Sequence, residues 1–254
     1  MVDIWATLQS RTRTNGGAPL ITYLDPATGE RTELSATSLA NAAAKIANAL
    51  RAEFDLAPGD VVGVDLPLHW QRSAWCAGAW TAGCTVLPLP ADAVQDVALV
   101  VSTQDRAWHW LSGTAPVVAV SMHPFGLPIT EDLPEGVDDA TLLVRQQPDS
   151  YLFDPPTAAT PALLDGERAW TQAELMAAAA DLGRACGLTP GGRLLLRDDA
   201  SIGEGAVIEQ WLGALALPLA TSASVVLVRG GVDSADLTDI IAQERTTASL
   251  PATP

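Results

Sequence analysis

The loop 121–128 has the most unusual grouping of side chains in the sequence. His123 and Phe125 stand among turn-forming residues, with Met122 and Leu127 adding apolar surface. A histidine exchanges protons near neutral pH, and an aromatic ring offers contact area to a ligand or a protein partner. The composition is also typical of a buried structural loop, and that interpretation is favoured. His123 and Phe125 are nevertheless the first residues to consider for a binding site.

A second group of polar residues follows the apolar run 194–196. Asp198 and Asp199 precede Gly203 and Gly205, which resemble part of a dinucleotide fingerprint whose third glycine is missing. Carboxylates at this point stabilise a helix N-terminus through its dipole, but they would repel a phosphate. We therefore disfavour nucleotide binding here and keep Asp198 and Asp199 as candidate binding residues.

The histidines and cysteines form no metal-binding pattern. His69 and His109 each adjoin a tryptophan, which predicts packing in the core or in an interface. Cys76, Cys84 and Cys186 lack metal-ligand spacing, and we expect buried free thiols in a reducing cytoplasm. The chain also has no G-x-S-x-G or H-E-x-x-H motif. No metal and no cofactor are expected.

Charge excludes whole classes of partner. The 254-residue chain has 14 basic and 30 acidic residues and a net charge of −16. Nucleic-acid binding and attraction to anionic membranes both depend on basic patches, so neither partner is expected. A solvated acidic surface is the simplest interpretation.

Two segments bear on localisation. The first ten residues have neither a basic start nor an apolar core, so we predict no secretory signal. The uncharged run 212–228 is short for a membrane span and contains Pro218. It is better explained as a buried helix end followed by a buried strand, and a cytoplasmic protein is expected.

The sequence contains an internal repeat. Each copy has, in the same order, a Gly-Glu-Arg turn, a hydroxyl residue before an alanine-rich helix, a Leu-x-Pro-Gly turn and an apolar strand. These features begin at residues 29, 35, 56 and 61 in the first copy and at 166, 171, 188 and 194 in the second. The recurrence of the whole series predicts two related structural units.

Local patterns give the fold class. Ser35 is a predicted N-cap, and Thr171 with Glu174 forms a predicted capping box. The strands are short and continuously apolar, as in parallel sheets covered on both faces. We predict an internally duplicated α/β fold with mainly parallel sheets flanked by helices. It would be one domain, 1–254, with pseudo-repeated subdomains 1–120 and 150–250 joined by a proline-rich arm, 112–162, which is either a surface linker or ordered.

Two blocks resemble the adenylate-forming superfamily, which includes acyl-CoA synthetases and nonribosomal adenylation domains. They are residues 19–90, with the Leu-Ala-Pro-Gly-Asp turn at 56–60 and the Ala-Gly-Cys-Thr-Val-Leu-Pro run at 82–88, and residues 188–246. The resemblance implies the N-terminal domain of such enzymes, which is built of two related subdomains. It also implies that the family's separate C-terminal domain is absent.

The family's phosphate loop is rich in Ser, Thr and Gly and ends near a lysine, because backbone N–H groups and a cation must approach the phosphates. The resemblance places that loop at 152–165, where this chain has no glycine, no lysine and three prolines. Asp154 would repel phosphate, while Thr157 and Thr160 are either remnants of the loop or parts of a structural turn, which is favoured.

The lysines that such chemistry requires are also missing. Lys45 is the one lysine of the chain, and its place in an amphipathic helix predicts a solvated surface role. We therefore predict a pseudoenzyme that acts as a binding or assembly module, with a second copy of the chain or another protein as its partner. Two alternatives remain open. One is a small-molecule binding protein or residual acyl-activating enzyme that uses His123, Asp198 and Asp199, and the other is one subunit of a split ligase.

Overall fold

The computed structural model describes residues 3–89, 97–166, 168–198 and 206–250. The α-helices are α1 Ile4–Asn15, α2 Ala36–Ala52, α3 Trp70–Ala82, α4 Ala140–Arg145, α5 Gln172–Ala185, α6 Ala206–Trp211, α7 Leu217–Ala220 and α8 Ser234–Glu244. The strands are β1 Pro19–Asp25, β2 Glu30–Ser35, β3 Val61–Asp65, β4 Thr85–Pro88, β5 Val97–Thr103, β6 Val117–Val120, β7 Val137–Asp139, β8 Pro161–Asp165, β9 Arg168–Thr171, β10 Arg193–Arg197, β11 Ser224–Val228 and β12 Ala248–Leu250. A 3-10 helix covers Ala107–Trp110, and a π-helical turn, Leu212–Ala216, connects α6 to α7.

The strands form two mainly parallel sheets. A five-stranded sheet has the order β12-β10-β11-β1-β2, and a seven-stranded sheet has the order β7-β6-β5-β3-β4-β8-β9. Among the described strands, the antiparallel pairs are β1 with β2 and β8 with β9. The predicted α/β class, with parallel sheets flanked by helices, is confirmed.

Each sheet contains a hairpin from the other half of the chain. The β1–β2 hairpin joins the five-stranded sheet, where Ile21 lies opposite Val225 of β11. The β8–β9 hairpin joins the seven-stranded sheet, where Val86 of β4 lies opposite Leu163. The repeated sequence features thus occupy equivalent places in two sheets that share their hairpins. The predicted subdomain limits stay a prediction.

Both faces of the five-stranded sheet are covered by apolar side chains. Leu194 and Leu196 of β10 belong to the main core, whereas Leu195 packs with Val226 and with Leu237 of α8. Successive side chains of a strand point to opposite faces, so a continuous apolar run requires cover on both sides. This explains why these strands do not alternate between apolar and polar residues.

The helices that begin each repeat start where the sequence predicts. The Ser38 N–H donates to the Ser35 hydroxyl at 3.0 Å, and Thr171 and Glu174 form the predicted capping box around the first turn of α5. Each cap satisfies N–H groups that have no partner within the helix. The caps therefore fix the two equivalent helices at equivalent points.

Helix α3 is buried on all sides. Every residue from Gln71 to Ala82 is buried, including Trp75 and Trp80. Gly78 allows α2 to approach closely, because a Cβ atom there would lie 2.3 Å from Cγ2 of Ile46. The Trp80 indole N–H donates to the carbonyl of Ala162 at 2.7 Å, which joins α3 to the exchanged hairpin. A helix in this position needs apolar residues around its whole circumference.

Of the two interpretations of the arm 112–162, the structure supports the ordered one. Strands β6 and β7 extend the seven-stranded sheet, and α4 packs on α2. The run 212–228 is also as predicted, with buried helical turns followed by the buried strand β11. Within the described residues, no helix is both long and apolar enough to cross a membrane.

Candidate functional site

The segment expected to hold phosphate is a closed turn. The Thr157 N–H donates to the Thr160 hydroxyl at 3.1 Å, and the Thr160 N–H donates back to the Thr157 carbonyl at 3.0 Å. Hydroxyl and backbone groups of the two threonines thus satisfy each other, as in other turns built on Ser or Thr. Asp154, just before the turn, is exposed.

This turn also closes the N-terminus of α5. The Gln172 N–H donates to the Thr160 carbonyl at 2.9 Å, and the Ala173 N–H donates to the Ala158 carbonyl at 2.9 Å. Phosphate sites at helix ends depend on free N–H groups in the first turn. Here carbonyl oxygens already accept those bonds, and they would repel an anion.

Helix α2 holds the segment that leads into the turn. Asn48 is buried, donates to the carbonyls of Pro148 at 3.2 Å and Ser150 at 2.9 Å, and accepts from the Leu152 N–H at 3.1 Å. Lys45 donates to the Gln147 carbonyl at 2.6 Å. Lys45 also pairs with the exposed Asp149 at 3.0 Å, so it lies at the surface as predicted, with its ammonium group in contact with the segment that leads into the turn.

The loop 121–128 does not have the buried position that was favoured. Phe125 is 84% exposed, and His123 is also exposed. The Phe125 N–H donates to Nδ1 of His123 at 3.1 Å, and Gly126 takes the left-handed φ of 55° that closes the turn. The loop satisfies its polar groups locally, and this leaves the two rings outside the core.

A small cleft lies beside this loop. Its volume is about 180 Å³, and it lies between the loop, α2, the start of α3 and α4. Its lining is mainly apolar and includes Ile46, Trp70, Trp75, Val120, Phe125 and Val144. Pockets for drug-sized ligands usually measure about 300–1,000 Å³. The cleft is therefore suited to a single large side chain rather than to a nucleotide.

A wider groove lies between the β1–β2 hairpin and α8. Its volume is about 460 Å³. Its acidic lining residues are Asp25, Glu30, Asp236, Asp239 and Glu244. The nearby Arg31 is already paired with Glu244 at 2.9 Å. The groove therefore disfavours anionic ligands.

The acidic pair predicted at 198–199 is described only in part. Asp198 follows β10, and its N–H donates to the Val228 carbonyl at 3.0 Å. Asp199 lies outside the described residues. The structure places Asp198 at the carboxyl end of the five-stranded sheet, whereas His123 follows β6 and Thr157 precedes β8.

His69 is buried at the start of α3, in agreement with the prediction that it packs in the core or in an interface. It is 1% exposed, its ring centroid lies 4.3 Å from that of Tyr23, and its Nδ1 accepts from the Gln71 N–H at 3.1 Å. Burial, with help from the charges of Arg229 and Arg72, lowers the pKa of His69 to about 3. His109 is exposed on the 3-10 helix, which rules out the core for this residue, whereas its packing in an interface stays a prediction.

Arg72 is the least expected residue of this region. It is 5% exposed, and its guanidinium carbon lies 4.8 Å from the ring centroid of Trp211 in α6. Burial lowers the pKa of Arg72, and the neighbouring Asp198 charge opposes that effect. Arg72 was not among the predicted site residues, although an arginine within the apolar segment 70–82 is a signal that the sequence contains.

Comparisons with known proteins agree with this architecture. No protein-family model matches the chain. A TIGR03089 family protein of Mycobacterium tuberculosis is 39% identical over 149 residues, which cover 58% of this chain and 61% of that protein. The aligned region is thus less than two thirds of that relative.

Solved structures match over nearly the whole chain. An acyl-CoA synthetase of Brucella canis matches with a TM-score of 0.77 at 21% identity, and the match covers 98% of this chain and 47% of the synthetase chain. The N-terminal domain of FACL13 from Mycobacterium tuberculosis matches with a TM-score of 0.69 at 15% identity, and the match covers 98% of this chain and 62% of the FACL13 chain. The chain spans about half the length of the synthetase. Its fold is that of the N-terminal domain of adenylate-forming enzymes.

Proposed function

We propose that this chain does not form acyl adenylates and that it acts as a binding or assembly module on an adenylate-forming fold. The observation that carries the proposal is the closed turn at 157–160, whose carbonyls cap α5. A phosphate loop needs free N–H groups and a nearby cation. In this segment the N–H groups of Thr157 and Thr160 are bonded within the turn, and the chain's one lysine contacts Gln147.

The test is an ATP–pyrophosphate exchange assay with a panel of short, long and aromatic carboxylic acids. A competent adenylating enzyme of the same fold serves as the positive control. We expect exchange at the level of a protein-free blank for every acid. Exchange well above that blank, lost when Thr157 and Thr160 are both replaced by Ala, would establish an active phosphate site and overturn the proposal.

The binding role is supported by the cleft beside Phe125. An exposed aromatic next to an apolar cleft of about 180 Å³ is suited to a protein interface, where a few aromatic residues carry most of the binding energy. The small volume favours an inserted side chain over an acyl-CoA or a nucleotide. A split ligase is disfavoured by the same closed turn, which a partner would have to rebuild.

The partner surface can be tested with two matched substitutions. Phe125→Ala removes the aromatic beside the cleft, whereas Leu152→Ala removes a 68% exposed apolar side chain elsewhere. Self-association is followed by sedimentation velocity, and other protein partners by photo-crosslinking from position 125. We expect Phe125→Ala alone to weaken association. Equal effects of both substitutions would mean that the cleft is not the binding surface.

A further inference from the structure

The first turn of α3 contains buried hydrogen-bond donors without partners. Arg72 is 5% exposed, and neither its Nε nor its Nη2 atom has a hydrogen-bond partner among the described residues. His69, three residues earlier, is 1% exposed, and its Nε2 atom is likewise unpaired. Buried polar groups in proteins are nearly always hydrogen-bonded, and an unpaired buried cation is especially unfavourable. Two such groups on one helical turn mark a place that suits a hydrogen-bond acceptor.

The unpaired atoms of Arg72 are those that bind oxyanions best. Nε and Nη2 form the edge of the guanidinium that presents two parallel N–H groups, and a carboxylate or phosphate accepts both at once. The Trp211 ring, 4.8 Å from the guanidinium carbon, restricts its orientation. The fork is thus held in place before any ligand arrives.

His69 adds a donor of the same kind. Because its Nδ1 accepts the Gln71 N–H, the neutral ring carries its proton on Nε2. Glu30 Oε1 lies 3.8 Å from Nε2, too far for a hydrogen bond. The imidazole is therefore a neutral donor beside a cation.

The described acids do not neutralise Arg72 by direct contact. Among the described residues, no carboxylate lies within 4.0 Å of its guanidinium. Asp198 acts on it only through its longer-range charge, and the thiol of Cys76 stays protonated because burial raises its pKa to about 12. The positive charge therefore remains available to an outside anion.

We propose that Arg72 is the recognition residue of a buried site for a small oxyanion, a carboxylate or a phosphate, with His69 as a neighbouring donor. The ligand would lie at the N-terminus of α3, beside Tyr23 of β1 and near the charges of Arg229 and Asp198, which follow β11 and β10. This position is separate from the closed turn at 157–160, so the site does not require adenylation. Ligand binding and the exchange assay can therefore fail independently.

The experiment titrates the full chain with sodium acetate and, separately, with sodium phosphate, with sodium chloride at equal ionic strength as the reference. Nε–H resonances of ¹⁵N-labelled arginine report on the site directly, and the melting temperature reports on binding to the folded state. We expect the Arg72 resonance, assigned from Arg72→Lys, to shift saturably with one anion. The anion that shifts it distinguishes a carboxylate ligand from a phosphate ligand.

Variants separate recognition from folding. Arg72→Lys keeps the charge but loses the fork, and should weaken binding by about 10- to 100-fold, the value of one charge-assisted hydrogen bond. Arg72→Met removes the buried charge and should abolish the response while the protein stays folded. Arg184→Lys, on the surface, should bind like the wild type. No saturable shift with either anion, or an equal melting response in Arg72→Met, would overturn the proposal.

Discussion

The carboxylate of Asp65 joins the end of β3 to the segment after β5. It is 5% exposed and accepts from Nε of Arg106 at 2.9 Å and from the Trp110 indole N–H at 2.9 Å. The hydrogen bond between Arg106 and Asp65 raises the pKa of Arg106. The packing of Trp110 against the seven-stranded sheet therefore depends on one buried acid.

Replacing Asp65 with Ala should lower the free energy of unfolding by about 1–3 kcal/mol, because Arg106, Trp110 and the Ser102 hydroxyl all lose their acceptor. Solvent around the half-exposed Arg106 keeps the loss from being larger. Urea denaturation followed by tryptophan fluorescence measures the change. Asp105→Ala, at an exposed position in the same segment, should stay within about 0.5 kcal/mol. Equal stability of the two variants would show that Asp65 is not a structural acceptor.

His69 should make stability depend on pH. Its pKa is about 3 in the folded protein, below the ordinary value of 6.5, so the unfolded chain binds a proton that the folded protein excludes. The contribution of His69 to the free energy of unfolding is fully present above its unfolded pKa of 6.5. It is lost as the pH falls from 6.5 toward 3, by at most about 1.4 kcal/mol per pH unit.

The measurement compares urea denaturation at pH 7, 6 and 5 for the wild type and for His69→Asn, whose side chain can still cap α3. The variant should lose less stability than the wild type over this range. His109→Asn, at an exposed histidine, is the control and should follow the wild type. If His69→Asn also follows the wild type, His69 does not stay neutral in the folded state.

At the scale of elements, the close packing of α2 and α3 depends on Gly78. A Cβ atom there would lie 2.3 Å from Cγ2 of Ile46, so Gly78→Ala must push the two helices apart. Overpacking of this kind costs about 1–3 kcal/mol. Thermal unfolding should show the loss, whereas Gly17→Ala, with open space around it, should be nearly neutral. Unchanged stability of Gly78→Ala would mean that the two helices shift without cost.

The elements were predictable from sequence where the signal is local. The N-cap at Ser35, the capping box at Thr171 and the buried run 212–228 depend on neighbouring residues, and the structure has all three. Exposure of loop 121–128 was not predictable, because whether anything covers Phe125 depends on distant segments. Arg72 was missed for the same reason: its ring contact, Trp211, comes from the second repeat.

At the scale of the molecule, the two halves are joined by their exchanged hairpins. Strand β1 pairs with β11, and β4 pairs with β8, so neither sheet is complete without strands from both halves. The repeat in the sequence predicted equivalent units, but it contained no information about which sheet each hairpin joins. Pairing between strands far apart in sequence leaves no local pattern.

This exchange predicts that neither half folds alone. Fragments 3–150 and 151–250, produced separately, should each lack a cooperative unfolding transition, because each would expose strand edges and apolar surface. Mixing them should restore a complex with a single transition, measured by circular dichroism. A cooperative transition in either fragment alone would contradict the prediction that each half needs the other in order to fold.

We propose that the closed turn at 157–160 leaves no place for the phosphates of a nucleotide. Isothermal titration of the full chain with ATP and Mg²⁺ tests it most directly. We expect no saturable heat with ATP for the wild type or for the Thr157→Ala, Thr160→Ala double variant. Saturable 1:1 binding of ATP to the wild type that is lost in the double variant would contradict the claim.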